Sequence, residues 1–66
     1  MQIILNGEAR EVTEGQTVMD LLRALAIDPE RVAVEMNRSI IRQTDWTVIA
    51  VPPGARIEIV QFVGGG

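Results

Sequence analysis

One amphipathic stripe limits the folds open to this chain. Val18, Leu21, Leu22 and Leu25 fall at i, i+3, i+4 and i+7, the spacing that aligns apolar side chains along one face of a helix. Thr17 stands just before them with Asp20 three residues on, which is capping-box spacing with Asp in place of the usual Glu. Pro29 lacks the N–H to continue a helix and disfavours helical geometry at Asp28, so the helix is expected to stop near Ile27. A lone helix cannot bury its stripe against itself. The rest of a 66-residue chain must supply a sheet to cover it.

The flanking segments read as that sheet. Ile3-Ile4-Leu5 runs into Asn6-Gly7, the dipeptide that best tolerates a tight turn, and Arg10 to Thr13 returns. A two- or four-residue loop would place Met1, Ile3, Leu5 and Val12 on one face, expected to be the core face. Val32, Val34 and Met36 alternate in a third strand, Asn37-Arg38 turns, and Ser39-Ile40-Ile41 returns. Arg42 to Thr47 is irregular and holds Trp46, expected at the rim or as a core anchor. Val48 to Val51 adds a little extended chain before Pro52-Pro53-Gly54 forces a turn, and Arg56 to Val63 is the last strand. The order is β-β-α-β-β-β. If the helix is a crossover between parallel first and last strands, the result is an α+β β-grasp, a mixed sheet of four to five strands wrapped around one helix. Residues 1–63 then form a single domain, and 64–66 a flexible glycine tail.

Composition removes most catalytic chemistry. The chain has no His, Cys, Lys or Tyr. Without them there is no Ser-His-Asp triad, no thiolate nucleophile, no N/S zinc site, no Schiff-base amine and no Walker-type phosphate loop. Asp28, Glu30 and Glu35 make no metal motif, so neither a metal nor a catalytic residue is expected, and the chain is not expected to be an enzyme. Net charge is −3 with the arginines scattered among acids. That pattern argues against nucleic acid and anionic membranes and suits a partner with a basic docking face. No basic leader or long apolar run is visible, and the missing Cys suits a reducing compartment, so a cytoplasmic location is expected.

What local propensity does not explain is the triple glycine Gly64-Gly65-Gly66. A frayed terminus or a cloning scar would account for it without function. The functional reading is a tail without Cβ atoms, with Gly64 and Gly65 as a flexible lead that enters a narrow cleft and presents the Gly66 carboxylate to another protein's active site. A carboxylate is a poor electrophile until a leaving group such as adenylate is attached. The absence of Lys fits, because no side-chain amine could capture the activated end, although an arginine-biased genome is the simpler explanation. In the last strand Ile57 and Ile59 share one face, and Glu58, Val60 and Phe62 the other. With the isoleucines under the helix, Val60 and Phe62 become an exposed docking patch. The competing reading folds Phe62 over a neighbouring strand or against Trp46.

These residues resemble the sulfur carrier proteins of thiamine biosynthesis, a bacterial branch of the ubiquitin-like β-grasp group. The resemblance covers essentially the whole chain. It is carried by Leu5-Asn6-Gly7-Glu8, Thr17-Val18 leading into Leu21-Leu22, Val34-Glu35-Met36-Asn37, and above all the ending Phe62-Val63-Gly64-Gly65-Gly66. Ala55 departs from it, where the family usually has Asp. The resemblance implies an adenylating enzyme of the ubiquitin-activating type that uses ATP and Mg²⁺ on Gly66, with no cofactor bound to the chain itself. It further implies a cysteine desulfurase or related sulfur donor, a thiocarboxylate at Gly66, and thiazole synthase as the sulfur acceptor. Val60, Phe62 and Val63 would form the docking surface. A molybdopterin-synthase small subunit, a ubiquitin-like modifier and a β-grasp interaction module are the alternative readings.

Overall fold

A left-handed pair of residues starts the sheet. Asn6 (φ 48°) and Gly7 (φ 83°) take the conformations that a two-residue hairpin needs. The computed structural model, which describes residues 1–62, joins β1 (Gln2–Leu5) to β2 (Glu8–Glu11) through this turn. Leu5 lies opposite Glu8 and Gln2 opposite Glu11. Ile3 and Leu5 are therefore buried, with Met1 and Val12 packed beside them as the hairpin parity requires.

The helix α1 (Val18–Ala24) is closed at its start by the expected reciprocal cap. Thr17 Oγ1 accepts from the Asp20 N–H, and the Asp20 carboxylate accepts from the Thr17 N–H, both at 3.1 Å. The Thr17 backbone N–H, then its side chain, and to a smaller extent the Arg23 charge hold the Asp20 carboxyl below its usual range. Val18, Leu21 and Leu22 are buried, and Leu25 packs at the edge of the core.

The helix ends at Ala24, short of the expected stop near Ile27. The cause is a Schellman closure: Ala26 N–H donates to Arg23 O at 3.0 Å and Ile27 N–H to Leu22 O at 2.9 Å. Ala26 sits at φ 57°, where glycine is usual. Pro29 then opens a 3₁₀ turn, Pro29–Arg31, capped by Asp28.

Beyond it, β3 (Val32–Met36), β4 (Ser39–Ile41) and β5 (Arg56–Gln61) complete a five-stranded sheet in the order β2-β1-β5-β3-β4. The β1–β5 pair is parallel and the others antiparallel. The last strand ends at Gln61, and Val63, expected in it, lies outside the described residues with Gly64, Gly65 and Gly66. Trp46 is a core anchor, 2% exposed, and its Nε1–H donates to Ile41 O at 2.9 Å. The extended chain expected over Val48 to Val51 reduces to one bridge between Ala50 and Thr17. Val51 turns into the core and Val48 out to solvent.

Ala55 is also buried, and the turn before it closes without an acid: Ala55 N–H donates to Pro52 O at 3.1 Å, with Gly54 at φ 76°. The departure from the family pattern therefore leaves the turn intact.

Ala26→Gly tests the helix closure. The left-handed position costs an alanine about 1–2 kcal/mol, partly offset by the extra unfolded-chain freedom of glycine. The exposed Ala26 methyl has no core packing to lose. A thermal melt should rise by about 2–8 °C, for a gain of about 0.5–1 kcal/mol. A lower Tm would mean that the closure is misread.

Candidate functional site

The site is built on β5, last in sequence but central in the sheet. Its ladder to β1 has two register pairs, Ile4 with Arg56 and Leu5 with Ile57. Asn6 extends that ladder past the end of β1. Its backbone N–H donates to Ile57 O at 2.8 Å, and its side-chain Oδ1 accepts from Ile59 N–H at 2.8 Å, with a longer Nδ2 contact to Ile59 O at 3.4 Å. On the other flank Asn37, in the turn between β3 and β4, donates to Arg56 O and accepts from Arg56 N–H through Oδ1. Near its far end the Phe62 N–H donates to Arg31 O at 2.8 Å. Both flanks of the strand are held by residues that belong to turns.

Strand parity then sorts its side chains. Ile57 is fully buried beneath α1 and Ile59 packs beside it. Glu58, Val60 and Phe62 leave the opposite, open face, where Val60 and Phe62 are 61% and 60% exposed. Phe62 thus neither folds away nor meets Trp46, which is buried beside the helix, its carbonyl accepting from Met19 N–H.

The open face carries more than the sequence indicated. A shallow depression is lined by Ala33, Glu35, Ile40, Glu58 and Val60. Ile40, the most exposed large apolar residue of the described chain at 78%, was not among the expected docking residues. Its signal was present: the two-residue turn at Asn37-Arg38 pairs Ile40 with Glu35 rather than with buried Val34. A second depression lies between β2 and α1, lined by Arg10, Val12, Gln16, Leu21 and Leu25 among others.

No group of acidic side chains among the described residues is arranged to hold a metal. No helix among them is long and apolar enough to cross a membrane. Among the described residues, the arrangement is a partly apolar, partly acidic open sheet face.

Comparison with known proteins bears on what uses it. A protein-family model described as the ThiS family matches residues 3–66. The chain is 33% identical over 66 residues to the sulfur carrier protein ThiS of Escherichia coli, covering 100% of both chains. It is also 41% identical to a thiazole synthase of Paramagnetospirillum magneticum, covering all of this chain but 20% of that protein. A thiazole synthase of Magnetococcus marinus matches at 38% over the same share. The chain therefore spans about one fifth of those two relatives. Among solved structures, the crystal structure of a thiamine biosynthesis protein (ThiS) from Geobacter metallireducens superposes with a TM-score of 0.88, at 32% identity over 100% of both chains.

Phe62→Ala separates surface from core. Because Phe62 is mostly exposed, stability should change by no more than about 0.5 kcal/mol. Affinity for the expected adenylating enzyme, measured by calorimetry, should fall by about tenfold or more. A large drop in Tm with unchanged affinity would return Phe62 to the core.

Proposed function

This chain belongs to the ThiS family, and from that premise we propose that it carries sulfur on Gly66 for thiamine biosynthesis. The observation that carries the reading is the end-to-end match to a sulfur carrier protein, joined to a central strand, β5, that the glycines follow in sequence. Proteins of this family are carriers and not themselves enzymes.

The chemistry divides between carrier and partners. The Gly66 carboxylate attacks the α-phosphorus of ATP in the adenylating enzyme, with Mg²⁺ supplied there, and pyrophosphate leaves. The acyl-adenylate now has a good leaving group. A persulfide from a cysteine desulfurase or related donor displaces AMP, and a thiol then cleaves the acyl disulfide to leave a thiocarboxylate.

This chain contributes three things. The glycines pass through a narrow cleft because they have no Cβ atoms to exclude. Val60, Phe62 and Val63 give the partner a grip next to the reacting end. The absence of lysine leaves no side-chain amine to intercept the activated carbonyl. Thiazole synthase is the proposed acceptor, supported by two relatives of that name that contain a segment similar to this chain.

Intact-mass measurement tests the reading. Incubation with ATP, Mg²⁺, the adenylating enzyme and a sulfur donor should exchange one oxygen for sulfur at Gly66. Removal of Gly65 and Gly66 should abolish that product and leave the thermal melt nearly unchanged. An unmodified mass from a partner shown to be active on another carrier would refute the proposal.

A further inference from the structure

The open face of the sheet holds two carboxylates that the fold does not use. Glu35 of β3 and Glu58 of β5 are direct cross-strand partners, so their side chains leave the sheet side by side, with Cβ atoms about 5 Å apart. Like charges set directly opposite disfavour a sheet. Both residues are half-buried. The ion pairs among the described residues are Met1 with Glu11 and Arg31 with Asp28, and neither relieves this pair. Around the two acids lie Ala33, Ile40 and Val60, with Phe62 just past the end of β5.

The chemistry of an occupant follows from this mixture. A purely apolar surface would strip water from two carboxylates without giving them a partner. An acidic one would add to the repulsion. A guanidinium meets both requirements: its planar fork reaches two carboxylate oxygens, while its stem and flat faces lie against apolar neighbours such as Ile40 and Val60. A net charge of −3 draws a basic surface in from solution. We propose that this face docks a protein partner that presents an arginine, framed by apolar side chains, to the Glu35–Glu58 pair. The inference rests on the carrier reading and specifies the surface by which the carrier is recognised.

Two measurements on the intact chain decide it. The first follows pyrophosphate exchange with the adenylating enzyme, comparing the native chain with a Glu35→Gln/Glu58→Gln double variant. The KM for the variant should rise by about tenfold with kcat retained. That gap should narrow as salt is raised from about 50 to about 500 mM. The variant's Tm should be equal or higher, since a repulsion has been removed. An unchanged KM overturns the proposal.

The second is an amide NMR titration with a capped Leu-Arg-Phe peptide and its Leu-Glu-Phe counterpart. The arginine peptide alone should move the amides of Glu35, Ile40, Glu58 and Val60, and only in the native chain. Equal shifts with both peptides, or none at those residues, overturn it. If the native chain supports no exchange at all, the carrier reading falls instead, and the peptide titration decides the surface by itself.

Discussion

The structure depends on how β5 is held in the middle of the sheet. A strand that comes last in the chain must enter between two hairpins, one made before the helix and one after it. Each hairpin turn supplies an asparagine with positive φ, and each asparagine bonds to β5. Asn6 stands where the next residue of β1 would stand if the strand had not turned away, and its amide takes over the Ile59 N–H. The same residue therefore makes the turn and prolongs the ladder. Asn tolerates the left-handed region and also carries a side chain shaped like a peptide group. Glycine would satisfy the turn and leave Ile59 unpaired.

Holding β5 in this way ties the core to the surface. Ile57 is fully buried, in the same core cluster as Leu21 and Leu22 of the helix stripe and Trp46. One residue further on, the side chain faces the open side, so burial of Ile57 and Ile59 exposes Glu58, Val60 and Phe62 as a matter of parity. The outer face of the strand offers apolar and acidic groups. The missing residue types fit the same division of labour, since a chain without thiol, imidazole or side-chain amine is suited to being acted upon.

Much of this was legible from residue order. The helix stripe, the Thr17–Asp20 cap, the Asn6-Gly7 turn and the parity of β5 are local patterns, and each appears as read. What was not legible depended on contacts between distant segments. The helix ends early because Ala26 accepts a left-handed conformation that its side chain gives no reason to expect. Val48 to Val51 was expected to add a little extended chain, and its neighbours leave it a single bridge to Thr17. The place of Trp46 was undecided until its indole found the Ile41 carbonyl. At the surface, Val60 and Phe62 were found from one strand, whereas Ile40 and the facing of Glu35 on Glu58 needed the pairing of three.

Hydrogen exchange in an Asn6→Gly variant tests the central constraint most directly. Glycine keeps the positive φ of the turn and removes the side-chain amide, so turn and clamp are separated. In the native chain the Ile59 amide should be protected to a degree close to that of Ile57. In the variant it should lose protection far beyond any loss shared with Leu22 and Val34 in the core. An Ile59 amide that exchanges freely in the native chain, or that falls only in step with the core amides in the variant, would contradict the account.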